Sequence, residues 1–317
     1  MSLRKLFRLT AHLLVTTHIC AALIGLKMMQ SGYFVKKENA YKDADALSEP
    51  QRATLRDQIE SVLHQNTARD IIVGDVHCDM RFVSFIGDAG MMKKWAALNV
   101  KRIYLELPPE DQKRFDAVAL GLSSSLDDPD ASYSIGREAG REYNRCLVTL
   151  IQNAAKYGIR VYASDTSNDG VTALAVLHGV AVAMEGEGLK FLGLERFADA
   201  YVRELGARPF NWIRLDDRKT AAFVERHSGL SGRNLIFRGA AHVLTGGDRA
   251  LRTCLPNSVS FVFIDPAGYD KIRSLDDLTA EFRDLGQPYK KADYTIDLSA
   301  LRVTRVASPR VAEMAPP

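Results

Sequence analysis

The 317-residue chain is 46% hydrophobic, enough apolar material for one large core or two modest ones, and a single catalytic-sized domain is the simpler arrangement. The formal net charge is only +3, with Lys and Arg spread along the sequence, which argues against a nucleic-acid groove and for a small-molecule, peptide or lipid partner. The four cysteines, Cys20, Cys78, Cys146 and Cys254, lie far apart without a CxxC pair, so neither a zinc knuckle nor a disulfide scaffold is suggested.

Arg4, Lys5 and Arg8 precede an uncharged, largely apolar run over residues 9–26, the order expected of a signal peptide or a signal anchor. A buried amphipathic helix competes, because His12, Thr16, Thr17 and His18 dilute a run that barely reaches the ~20 residues needed to span a bilayer. No small-x-small cleavage site follows, and Thr17, His18 and Ile19 are a poor context for lipid attachment at Cys20, so an uncleaved anchor is expected. That reading divides the chain into a targeting segment (1–29), a polar linker (30–48) and an α/β domain (49–317). It places the protein on a membrane facing the periplasm or exterior, the alternatives being a secreted or a cytoplasmic chain.

Within the domain, residues 49–64 form a short helix, and Asp70-Ile71-Ile72-Val73-Gly74 is continuous enough in apolar character to be a buried parallel strand. Phe82, Phe85, Ile86, Ala89, Met92 and Ala96 keep helical spacing and predict one apolar-faced helix. Lys101 to Leu105 is a second strand, and Glu110 and Asp111 after Pro108-Pro109 open another helix. Residues 122–134 form a Ser- and Asp-rich loop. Tyr143, Leu147, Leu150, Ile151 and Ala154 line the face of a helix stopped by Gly158, and Ile159 to Ala163 is the third strand. The stretch 171–206 is helical in part, with boundaries blurred by Gly179, Gly186 and Gly188. A helix over 216–226 precedes strands at 234–237 and 260–264. Such alternation predicts a mostly parallel sheet with helices on both faces.

Four of these strands end in polar residues: Asp75 and His77, Glu106, Asp165, and His242. Ligands of open α/β sheets bind beyond the carboxyl ends of the strands, so these residues are expected to meet in one site. GDVH and GAAH share a strand-to-loop position, where glycine permits a sharp turn and leaves room for a ligand while histidine binds a metal or moves a proton. The alternative is that His77 and His242 are loop histidines hydrogen-bonded for structure. Glu106, between Leu105 and Leu107, is costly as an isolated charge and is either salt-bridged or a metal ligand, general base or orienting group for His77 or His242. Asp75 fits the same roles or caps a helix, and Asp165 is equally ambiguous beside the turn-like Thr166-Ser167-Asn168-Asp169. Arg218 sits at a helix start, where the macrodipole disfavours a cation. It either meets a substrate anion or pairs with Asp216 or Asp217. Cys78 adjoins His77 without a nucleophile signature.

IIVGDVH at 71–77, the glutamate in IYLELPPEDQKRFD at 103–116, GIRVYASD at 158–165, DDRKTAAFVE at 216–225 and NLIFRGAAHV at 234–243 together resemble the superfamily of erythromycin esterase-like, ChaN-like and TraB/Tiki-like proteins. The resemblance implies an α/β core with a site at the carboxyl edge of the sheet, His77 and His242 as the paired histidines, Glu106 as the strand-end glutamate and Arg218 as the arginine opening the helix before the last motif strand. Asp75 stands where many members carry the glutamate of Gly-Glu-x-His. The superfamily spans esterases, metal-dependent proteases, haem-binding lipoproteins and toxin modules, so it implies no single reaction.

A hydrolase is the first expectation. In a metal form His77, His242 and a carboxylate from Glu106 or Asp75 hold a divalent ion with an open position for water. In a metal-free form His77 activates water, Glu106 orients an imidazole and Arg218 stabilises negative charge. The alternatives are an envelope protein binding haem or another ligand, and a toxin or effector module acting at a membrane through its N-terminal segment.

Overall fold

The computed structural model describes residues 47–75, 80–126, 137–165, 216–265 and 289–306, with scattered positions between 178 and 202. The apolar run at 9–26, His77, Cys78 and most of 171–206 lie outside the described residues.

Helix α1 (Glu49–His64) begins where Ser48 N–H donates to Gln51 Oε1 at 2.8 Å. It leads to β1 (Asp70–Asp75), whose six residues are all buried. The single helix expected next is two, α2 (Met80–Gly87) and α3 (Ala89–Ala97). The break has a physical cause in Asp88, which leaves helical geometry, caps α3 by accepting the Met91 N–H at 2.6 Å, and pairs with Arg52 and Arg56 of α1. Strand β2 (Val100–Leu105), a 3₁₀ turn (Pro109–Asp111) and α4 (Gln112–Ala119) follow. Helix α5 (Arg137–Lys156) ends at Gly158, whose φ of +67° is the left-handed value that glycine adopts without strain. Strand β3 (Arg160–Ala163) is followed, among the described residues, by α6 (Arg218–His227) and β4 (Arg233–Gly239). Then come the short helices α7 (Ala240–Leu244) and α8 (Leu251–Cys254), β5 (Ser258–Ile264), β6 (Tyr294–Asp297) and β7 (Arg302–Arg305).

The seven strands form one sheet in the order β3-β2-β4-β1-β5-β6-β7, parallel throughout except for β7, which runs antiparallel to β6. Alternate residues of the central strands feed two separate cores. Ile71, Val73, Ile103, Leu105, Leu235 and Phe237 pack with α1 to α5, whereas Ile72, Tyr104 and Ile236 pack with α6 to α8. The α/β class and helix-flanked, mostly parallel sheet are therefore as the sequence implied. The final β6–β7 pair was not expected.

This topology positions the site. The chain returns from β1 to the face carrying α2 and α3, and from the adjacent β4 to the face carrying α7 and α8. Connections that leave neighbouring strands toward opposite faces open a crevice at the carboxyl ends, the usual ligand position in open α/β sheets. Gly74 makes this packing possible for a reason other than a turn. A Cβ there would stand 2.8 Å from Val243 Cγ2 and 3.0 Å from Ala240 Cα, so the glycine of GDVH makes room for α7 against β1.

Candidate active site

The carboxyl edge is built around one buried cation. Arg238 follows Ile236 on the face covered by α6, and its fully buried guanidinium sits where a strand would ordinarily place an apolar side chain. Three carboxylates from three elements surround it. Arg238 Nη2 lies 3.5 Å from Asp165 Oδ1 beyond β3 and 3.5 Å from Asp217 Oδ1 at the start of α6, and Nε lies 3.9 Å from Glu106 Oε2 beyond β2. Nη2 also donates to Thr220 Oγ1 at 3.4 Å. Burial alone would lower the guanidinium pKa, but Glu106, then Asp217 and Asp165, hold it above its ordinary value.

His242 lies beside this cation. GAAH does not end in a loop: Gly239 closes β4 and His242 stands inside α7, only 2% exposed. Its Nδ1 is 2.9 Å and 3.0 Å from the two Asp217 oxygens, and its Nε2 is 3.2 Å from Glu106 Oε1. Burial in isolation would lower the imidazole pKa, yet the charges of Asp217 and Glu106 outweigh both burial and the opposing charge of Arg238 and push it up to about 9. The Asp217 contact is a hydrogen bond, whereas Nε2, buried and close to Glu106 Oε1, makes none and meets that carboxylate as a charge only.

Glu106 completes the arrangement. Its Oε2 accepts the Gly239 backbone N–H at 2.7 Å, tying the end of β2 to the end of β4, while Oε1 faces His242. The side chain is 11% exposed and that of Asp165 is 18% exposed, so the carboxylates form the outer layer over buried Arg238, Asp217 and His242. Asp165 is set by backbone pairing, its N–H donating to Leu107 O at 2.8 Å. Asp75, also buried, ends β1 opposite Gly239 in the strand register.

Of the residues singled out in the sequence, Glu106, Asp165 and His242 are thus brought together, Asp75 closes the neighbouring strand, and His77 lies outside the described residues. Arg218 is placed differently. Its side chain is 56% exposed and its Nη2 and Nε reach Asp216 at 2.6 Å and 2.8 Å, a surface pair that lowers the Asp216 pKa. The cation among the carboxylates is Arg238, and the carboxylate behind His242 is Asp217, neither of which sequence reasoning had selected. Arg238 left a signal, a charge inside NLIFRG that a buried strand tolerates only with acidic partners. Asp217 left little, since nothing in LDDR distinguishes it from Asp216.

Among the described residues no group of three or more His, Cys, Asp or Glu has the arrangement of a metal site. Comparison with protein-family models, with curated proteins and with solved structures returns no match in any of the three.

Proposed function

We propose that this chain is a hydrolase of ester or peptide bonds, acting at the carboxyl edge of its sheet in the metal-free form. His77, which follows β1, is the base that activates water, and Glu106 forms with His242 a fixed carboxylate–imidazole pair at the same edge. Buried Arg238 and His242 supply positive charge under Glu106 and Asp165, which keeps that outer layer of carboxylates ordered. The observation carrying this reading is the double engagement of Glu106, 3.2 Å from His242 Nε2 through one oxygen and 2.7 Å from the Gly239 amide through the other. The metal-free form is preferred because the charges of Asp217 and Glu106, 2.9 Å and 3.2 Å from the two ring nitrogens, favour the protonated imidazole of His242, which has no lone pair to offer an ion. The ordered motifs resembling the erythromycin esterase-like, ChaN-like and TraB/Tiki-like superfamily support the same reaction class, and the uncharged run at 9–26 supports attachment to a membrane with the domain facing the periplasm or exterior.

The test is turnover by purified protein on a panel of ester, peptide and lactone substrates, with and without a chelator. Hydrolysis of one class, unchanged by chelation and abolished by His77→Ala, is expected. Activity lost on chelation and restored by a divalent ion would replace the metal-free form with the metal form. Absence of hydrolysis with saturable spectral changes on haem titration would replace the hydrolase with a haem-binding protein.

A further inference from the structure

Asp217 occupies the N-cap of α6, its backbone C=O accepting the Ala221 N–H at 2.8 Å and its own N–H donating to Arg249 O at 3.0 Å. An aspartate in this position ordinarily turns its side chain onto the free amides of the first helical turn. Asp217 makes no such side-chain bond. Its carboxylate is directed the other way, into the sheet edge, and is fully buried against the imidazole of His242. Both oxygens approach Nδ1, at 2.9 Å and 3.0 Å, closer than the 3.5 Å separating Oδ1 from Arg238 Nη2. The backbone is thus pinned at both ends while the side chain is diverted from capping, and the nearest group to receive it is a histidine ring whose other nitrogen faces Glu106.

We propose that Asp217 is the positioning residue of the site, fixing the ring of His242 through Nδ1 and thereby holding Nε2 beside Glu106, 3.2 Å from Oε1. It touches neither substrate nor reacting atoms, and of its two charged partners His242 lies closer than Arg238. The proposal deepens the hydrolase reading and rests on it for its catalytic consequence, but the ring geometry it assigns is independent of substrate. The charged groups facing the ring are Asp217 from the start of α6, Glu106 from the end of β2 and Arg238 from the end of β4. Asp217 holds Nδ1 by hydrogen bonds, whereas Nε2 makes none and has the Glu106 carboxylate 3.2 Å away as a charge partner, so the orientation of the ring is set from the Nδ1 side. A purely structural aspartate would serve equally well whichever way the ring was turned. A positioning aspartate matters because it selects one orientation and one proton arrangement, the role played by a carboxylate behind histidine in many hydrolytic sites.

The experiment combines nitrogen-detected NMR of the His242 ring with kinetics, on wild type and on Asp217→Asn and Asp217→Glu. In wild type at neutral pH both ring nitrogens are expected to carry protons. Asp217→Asn should give a ring with one unprotonated nitrogen, with kcat reduced by about 100-fold and KM little changed. Asp217→Glu, which retains the carboxylate, should restore the doubly protonated signature in part. A wild-type ring with one bare nitrogen overturns the proposal without any variant, which keeps the test decisive if Asp217→Asn fails to fold. An altered ring with wild-type kcat overturns it too, leaving Asp217 structural. The expected ring signatures in a protein that hydrolyses nothing on the panel would instead uphold the Asp217–His242 assignment and defeat the hydrolase reading.

Discussion

Glu106, just beyond β2, and His242, inside α7, meet at the carboxyl edge, with Oε1 of the glutamate 3.2 Å from Nε2 of the histidine. Neither is held by that contact alone. The remaining oxygen of Glu106 takes the Gly239 amide, and the remaining nitrogen of His242 takes Asp217. The pair is therefore preorganised, with partners that do not have to be recruited from water when a substrate arrives.

Glu106→Gln is the most direct probe of that pair. The amide keeps the size of the side chain and can still accept the Gly239 N–H, but it removes the charge facing His242 and Arg238. Turnover should fall by roughly 100-fold or more, the scale of a lost proton-handling group. Stability should fall by about 1 to 3 kcal/mol, because a partner of buried charged donors has been neutralised rather than deleted. Thermal unfolding and steady-state kinetics check the two halves. A folded variant with full activity would remove Glu106 from the mechanism.

The two arginines of the region should behave in opposite ways. Arg238→Ala strips the common partner from Glu106, Asp165 and Asp217, and leaving buried charge uncompensated costs about 3 to 5 kcal/mol. Arg218→Ala removes an exposed guanidinium paired to Asp216 at the surface, and its unfolding midpoint should match that of wild type. Urea denaturation of the two variants side by side decides the matter. Similar destabilisation would mean that Arg218, not Arg238 alone, supports the folded site.

Five of the seven strands were legible as largely apolar runs, and the convergence of Glu106, Asp165 and His242 followed from their places after separate parallel strands. What escaped was of three physical kinds. Strands β6 and β7 are short and polar: Tyr294-Thr295-Ile296-Asp297 and Arg302-Val303-Thr304-Arg305 alternate over only four residues each, and β7 is an antiparallel edge. The division between α2 and α3 depends on Asp88 being drawn toward Arg52 and Arg56, a tertiary pairing that helical periodicity does not encode. Asp217 and Arg238 were missed because their roles are set by burial: LDDR and IFRG show the charges but not which of them faces inward. The same ignorance made Arg218 a candidate and made His242 look like a loop residue, although it is enclosed in α7.

Removing residues up to Tyr41 should give a soluble domain that unfolds cooperatively, while the full chain sediments with membranes. The cut must stop there for a structural reason. Leu47 is buried in the core, its carbonyl accepts Arg52 Nε at 3.0 Å, and Ser48 begins α1. A truncation starting after Ser48 should therefore lose roughly 2 kcal/mol or more, from one buried leucine and a helix start. Fractionation and chemical denaturation of the two truncations check this. A wholly soluble full-length chain whose first truncation is unfolded would make the residues before 42 part of the fold.

The stability of the domain should carry a signature of His242 in its pH dependence. The folded-state pKa is pushed up to about 9, whereas the unfolded ring titrates near its ordinary value of 6.5. Between these values the folded chain holds a proton that the unfolded chain has released, so stability falls as pH rises. The contribution is fully present below the unfolded value and is lost as pH passes through the folded one. Other ionisable groups also titrate in this range, so the useful quantity is the difference in unfolding free energy between wild type and His242→Gln. That difference should shrink by on the order of 3 kcal/mol from about pH 6 to about pH 10. Urea denaturation at intervals across the window measures it directly. A difference independent of pH would mean that the ring has the same proton affinity folded and unfolded. A difference that grew with pH would mean that burial, not the carboxylates of Asp217 and Glu106, governs the imidazole, and His242 would then sit neutral in the site.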